Sequence, residues 1–242
     1  MKISDVIFKI TVIFVLSLHL FSTRLLISEQ ESEILQLKVL SQIIENKFNE
    51  IELKTCKPNF KLMQKATVDI MNLDLKASGG GVCINYKGIK YILTAYHVIE
   101  KSEDIYVIGG FNMTRCKVIK KDKKHDLALL STPEVTLNDV RYVDISEHEG
   151  QAGEEIWTCG NPMGIQDSIT NGFIIRNPCQ YSFFSYNAPT WFGSSGGGIF
   201  NRKTELIGIM SRVAFDVNVI TNYTYTSGLA VNLATIRKFL DE

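Results

Sequence analysis

The sequence has no surplus of either charge: Lys and Arg together number 26, as do Asp and Glu. That balance removes the global basic field that draws proteins onto nucleic acid, so no nucleic-acid partner is expected. Cysteine is sparse and irregularly placed. The five thiols, Cys56, Cys83, Cys116, Cys159 and Cys179, form no Cys-x-x-Cys pair and are odd in number. This argues against a structural zinc site and against a fully paired disulfide framework. Repeats and low-complexity tracts are also absent. Histidine occurs only four times, so any chemistry that needs an imidazole has few places to reside.

What is present is ordinary globular composition: 242 residues, 45% hydrophobic and 21% charged, enough to bury a core. The N-terminus stands apart. After Lys2 and Lys9 comes the apolar run "ITVIFVLSLHLF", and Val6 to Ile27 is long enough to span a bilayer if Lys9 and Arg24 snorkel at its faces. No small-x-small cleavage site follows, so an uncleaved signal anchor over 1–28 is favoured over a removed signal peptide. Lysines before the run and Glu29, Glu31 and Glu33 after it leave the N-terminus cytoplasmic and the rest exported, to a periplasm, lumen or exterior. Cleavage of the run would instead give a secreted protein. From Glu29 to Lys54 the residues Ile34, Leu37, Ser41, Ile44, Phe48 and Ile51 recur at three- and four-residue spacing. An amphipathic helical linker is expected over 29–57, lying on the protein's core or forming a stalk that brings copies together in a homo-oligomer. Pro58 marks the boundary of the main domain, 58–242.

Beyond Ala66 the segments are short, β-branched and aromatic, and turn residues separate them, as in "GGVCINYKGIKYILTA" with its Lys87-Gly88 turn. Helical period returns only in "LATIRKFLDE" at the end. An all-β barrel or sandwich with a terminal helix follows. In that setting "TWFGSSGGGIF" (190–200) is not a phosphate loop, because strand rather than helix comes after it and no lysine closes it. It could be a turn, or a nucleophilic serine with backbone donors beside it. The second option requires a base and a carboxylate. His19 lies in the apolar run and His148 in the polar "SEHEGQ". His125 would face away from Asp126 in an extended segment. His97 ends the apolar strand "YILTA" at the rim of a core, as a structural residue or as a base. Asp126 heads the apolar "LALL", where an unpartnered carboxylate would be costly, and it reads as a partner for an imidazole or as a solvated cap.

Together these segments resemble the trypsin-like serine peptidases of the chymotrypsin fold, and within them the HtrA/Deg branch. "SGGGVCINYKGIKYILTAYHVI", "HDLALL", "GEEIWTCGNPMGIQDSITNGFI", "GSSGGGIFN" and "SGLAVNLATIRKFL" are similar to that branch in order from about Ala66 to Leu240. The resemblance implies two six-stranded β-barrels with a C-terminal helix. It implies His97 as general base, Asp126 as its orienting carboxylate and Ser195 as nucleophile, with Gly193, Ser194 and Ser195 forming the oxyanion loop. No metal or cofactor is implied.

The departures are informative. Ser194 stands where zymogen-activated relatives carry Asp, so no such activation is expected. Gly198 replaces a usual proline, Cys83 lacks the partner cysteine of disulfide-bonded relatives, and a protease domain without a PDZ domain is expected. By the family's offsets, Pro189, Ile209, Met210, Ser211 and Gly228 would form the specificity pocket, selecting small or medium apolar residues before the scissile bond. The implied activity is serine endopeptidase cleavage of protein or peptide substrates through an acyl-enzyme. Two alternatives are an idle peptide-binding or chaperone-like module on this fold and a protease that processes only its own precursor.

Overall fold

The computed structural model describes residues 30–31, 33–47, 56–73, 77–100, 104–109, 112–131, 140–176, 182–218 and 223–242. The chain divides into two units, Met1–Thr55 and Cys56–Glu242. In the first, residues 30–31 and 33–47 form helix α1 with exposed side chains. The expected anchor at 1–28, and Phe48 and Ile51 of the linker, lie outside the described residues. Among the described residues no helix is long and apolar enough to cross a membrane.

The second unit opens with helix α2 (Phe60–Ala66), capped by the Asn59 side chain, which accepts from the Leu62 N–H at 3.0 Å. Its strands then fall into two sets. The first comprises β1 (Thr67–Asn72), β2 (Ala77–Tyr86), β3 (Ile89–Thr94), β4 (Ile105–Gly109), β5 (Asn112–Cys116), β6 (Val118–Asp122), β7 (Leu127–Ser131) and β8 (Val143–Asp144). They pair in the order β5-β4-β1-β2-β3-β7-β6, with β8 joined parallel to β2. β5 and β6 end opposite sides of this order, yet only Lys117 separates them in the chain, so the sheet must curl until its ends approach. The set holds eight strands rather than six because the short β8 is added and the chain from Asn112 to Asp122 breaks at Lys117. The β2–β3 hairpin turns at Lys87 and Gly88, with φ of 51° and 80°, the positive pair that a two-residue hairpin requires.

The second set, β9 (Glu155–Gly160), β10 (Ser168–Arg176), β11 (Phe183–Tyr186), β12 (Gly198–Phe200), β13 (Leu206–Asn218) and β14 (Tyr223–Asn232), closes as a six-stranded barrel, β10-β11-β14-β13-β12-β9. Helix α4 (Leu233–Asp241) follows, with Asn232 as its cap. It buries Leu233, Ile236 and Phe239, each adding about 1.5–3 kcal/mol of apolar burial. Met63, Val82, Ile84 and Leu93 from the first half pack with Trp157, Phe200, Ile209 and Phe239 from the second, so one apolar cluster joins both barrels and both flanking helices. The site described next sits where the two halves meet.

Candidate active site

His97 is carried by α3 (Tyr96–Ile99), a single turn directly after β3. Val98 and Ile99 are buried in the first barrel's core, which fixes the turn and leaves the His97 side chain 43% exposed. Asp126 closes the turn between β6 and β7 at φ 58°, a left-handed conformation that Asp tolerates better than most residues. Its carboxylate is held from several sides. The His97 backbone N–H donates to Oδ1 at 3.0 Å, His97 Nδ1 lies 3.0 Å from Oδ1 and 2.9 Å from Oδ2, and the Ser211 hydroxyl donates to Oδ2. Burial by itself would raise the Asp126 pKa, but the hydrogen bonds from His97 and Ser211 outweigh it and hold the carboxyl below its usual range. An ionised Asp126 makes Nδ1 the protonated nitrogen and leaves Nε2 free to accept a proton.

Ser195 lies in a tight loop with two residues of positive φ, Gly193 (96°) and Gly196 (83°). A Cβ on Gly193 would come within 2.5 Å of the Asn161 carbonyl, and one on Gly196 within 2.1 Å of the Gly80 carbonyl. The first barrel clasps the loop: the Gly80 N–H donates to the Ser195 carbonyl at 2.7 Å, and the Thr94 hydroxyl donates to the Gly80 carbonyl at 2.7 Å. From the second barrel, Gly196 N–H donates to the Met210 carbonyl at 2.7 Å. Ser194 is 3% exposed and its N–H donates to the Trp191 carbonyl, so it is a turn residue whose N–H faces no ligand. Among the described residues nothing accepts from the N–H groups of Gly193 or Ser195. The carbonyl before Gly193 is taken by the Met163 N–H at 2.8 Å. In a trans peptide the N–H points the opposite way, so the Gly193 donor faces away from Met163. Ser195 Oγ donates to the Ser211 carbonyl at 3.4 Å and makes no hydrogen bond to His97, a loose geometry common in unliganded sites.

His97, Asp126, Ser195 and Ser211 line one cleft of about 390 Å³. Trp191, Phe192, Arg212 and Val213 complete its lining. Of the five residues expected to shape the specificity pocket, only Ser211 lines this cleft. Ile209 and Met210 are buried in the core at 0% and 2% exposure, and Pro189 is exposed. Gly228 is buried against Tyr186, 2.0 Å from where a Cβ would lie. On β13 the cleft is lined by Ser211, Arg212 and Val213. The β13–β14 register shifts between Met210 and Arg212, a bulge that leaves Ser211 out of the pairing and turns its hydroxyl to Asp126. No period in the sequence announces such a bulge, so nothing local points to Arg212 and Val213, and Trp191 and Phe192 of the loop before Gly193 carry no signal of their own either.

The other imidazoles serve elsewhere. His125 Nδ1 pairs with Asp122 at 2.5 Å, and the His148 backbone closes a turn with Ser146. Cys83, Cys116 and Cys159 are buried free thiols, and Cys56 is a partly exposed one. Burial raises the Cys116 pKa to about 11 and that of Cys159 to about 12. Among the described residues no three His, Cys, Asp or Glu side chains gather as a metal-binding set. A larger hollow of about 610 Å³ runs along Arg115 to Lys121, but no base–nucleophile pair lines it.

Residues 79–209 match the trypsin-like peptidase domain model. The chain is 28% identical over 147 residues to a probable periplasmic serine endoprotease, DegP-like, of Pseudomonas putida, covering 58% of this chain and 30% of that protein. It is 32% identical over 148 residues to a probable serine protease, do-like, of Buchnera aphidicola, covering 57% and 30%. The match thus spans about a third of these relatives' length. Among solved structures, the serine endoprotease of Yersinia pestis superposes with a TM-score of 0.61 at 25% identity, covering 76% of this chain and 65% of the other. An inactive form of a Mycobacterium tuberculosis protease shares the fold at a TM-score of 0.58 and 18% identity, covering 74% and 89%.

Proposed function

The chain belongs to the family of trypsin-like peptidase domains, and from that membership we propose that it is a serine endopeptidase with His97, Asp126 and Ser195 as its triad. One observation carries the reading: an imidazole clasped by a buried carboxylate opens on the same cleft as Ser195, beside two backbone N–H groups with no acceptor among the described residues. In this scheme a peptide carbonyl lies against Gly193 and Ser195. Ser195 Oγ attacks its carbon as His97 Nε2 takes the hydroxyl proton, and the two N–H groups stabilise the charge that develops on oxygen. His97 then delivers the proton to the leaving amine, and water repeats the sequence on the acyl-enzyme. Asp126 orients the ring and stabilises the imidazolium.

The residue before the scissile bond is proposed to be apolar and small to medium, because Val213 and Trp191 flank the cleft and its one carboxylate, Asp126, is already engaged. The DegP-like relatives support a domain that acts outside the cytoplasm on protein substrates. Anchoring through Val6–Ile27 is part of the same proposal.

A fluorophosphonate probe tests the assignment. The intact chain should be labelled at Ser195, and Ser195→Ala should abolish labelling while leaving the circular dichroism unchanged. Labelling that persists on another serine would refute it.

A further inference from the structure

Arg212 stands in the cleft beside Ser211 without an acidic partner. It is exposed, its guanidinium carbon lies 5.2 Å from the centroid of the Phe183 ring, and among the described residues no carboxylate pairs with it. A guanidinium seated on an aromatic face is held in place while its N–H fork stays available. Asp126, the carboxylate of the cleft, is buried and its oxygens are engaged by His97 and Ser211, so it does not serve as a hydrogen-bonding partner for Arg212.

Backbone pairing places a substrate next to this cation. β13 pairs with β12 only as far as Ile209, whereas its pairing with β14 runs on to Asn218. From Ser211 onward one edge of β13 therefore has no described strand beside it, and an extended peptide can add there as a further strand. Ser195 Oγ is 3.4 Å from the Ser211 carbonyl. For an antiparallel peptide this sets the register: the residue whose carbonyl is attacked lies opposite Ser211, and the residue before it lies opposite Arg212. Residues directly opposite one another point to the same face, and unlike charges in such pairs attract.

We propose that Arg212 is a specificity-determining residue that selects Asp or Glu immediately before the residue whose carbonyl is attacked. The inference rests on the peptidase reading of the same cleft. An exposed ion pair of this kind amounts to about a 2- to 5-fold preference, and it weakens as salt rises.

The test uses the full chain with Ser195→Ala, so that binding is read without turnover. Fluorescein-labelled peptides Ala-Ala-X-Val-Ala-Ala, with X as Glu, Gln or Lys, are titrated and followed by anisotropy at low and high salt. The Glu peptide should bind tightest, about 2- to 5-fold better than Lys at low salt. Adding Arg212→Gln should remove the preference, and Arg212→Glu should invert it. No binding, equal binding of the three, or a preference that survives Arg212→Glu overturns the proposal. Turnover of the same peptides by the chain with Ser195 intact judges the peptidase reading separately: selective binding without turnover would keep the role of Arg212 and sink the enzyme.

Discussion

The N–H of Met163 meets the carbonyl of Phe192 at 2.8 Å, so a turn more than two dozen residues upstream decides which way the peptide before Gly193 faces. The same turn supplies the Asn161 carbonyl that leaves no room for a Cβ at position 193. Gly193→Ala should therefore displace this peptide and remove one oxyanion donor. Its expected cost is at least about 10²-fold in kcat, with a smaller change in KM. Steady-state kinetics on an apolar peptide ester check it, and an unchanged kcat would show that the Gly193 N–H takes no part.

Asp126 fixes the tautomer of His97 through two contacts of 2.9–3.0 Å. Asp126→Asn keeps the shape but permits the wrong tautomer, and should lower kcat by about 10⁴-fold. Fluorophosphonate labelling should slow in parallel.

Ser211→Ala isolates the pH dependence of the same carboxylate. Burial opposes ionisation of Asp126, while His97 and Ser211 favour it and win, so its folded pKa lies below the unfolded value. A depressed acid contributes stability above the unfolded pKa and loses it as the pH falls through the folded one. Without the Ser211 hydroxyl the folded pKa rises, and less of that contribution remains. Acid unfolding followed by circular dichroism should thus shift to higher pH in Ser211→Ala. No shift would show that the hydroxyl does little for the charge.

Gly196 has φ 83° and a Cβ there would lie 2.1 Å from the Gly80 carbonyl and 2.3 Å from the Thr94 hydroxyl. Gly196→Ala combines backbone strain with overpacking and should destabilise the fold by about 2–4 kcal/mol. Urea denaturation measures this directly; a loss below about 1 kcal/mol would mean that the loop relaxes freely.

The buried thiols give a check that is independent of activity. Cys83, Cys116 and Cys159 have pKa values raised by burial, so iodoacetamide at pH 8 should leave them unmodified in the folded chain and alkylate them in urea. Mass spectrometry of the digests reads each site, and modification of Cys159 under native conditions would contradict the packing of β9 against β12.

The sequence made His97, Asp126 and Ser195 legible because each sits in a local setting that a short stretch encodes: a strand end, the head of an apolar run, and a glycine cluster. The Lys87-Gly88 hairpin and the C-terminal helix were legible for the same reason. The β13 wall of the cleft was not, since Arg212 and Val213 follow the single-residue bulge at Ser211, and an offset counted along the chain cannot register it. The first sheet likewise gained two strands over expectation, because a break at one residue, Lys117, looks continuous in an alternating pattern. An extended segment would turn His125 away from Asp126, and the structure instead puts His125 in a turn, where it bonds to Asp122. That hydrogen bond is a side-chain choice that hydrophobic period does not encode.

The Gly80–Ser195 hydrogen bond has a consequence for how the molecule comes into being. Gly80 comes early in the chain, and the serine whose carbonyl it holds is synthesised more than a hundred residues later. An N-terminal fragment emerging first can complete much of its own sheet, yet the Ser195 loop is in place only once the later barrel docks against Gly80. The cleft that gathers His97, Asp126 and Ser195 is thus completed only at the last stage of assembly.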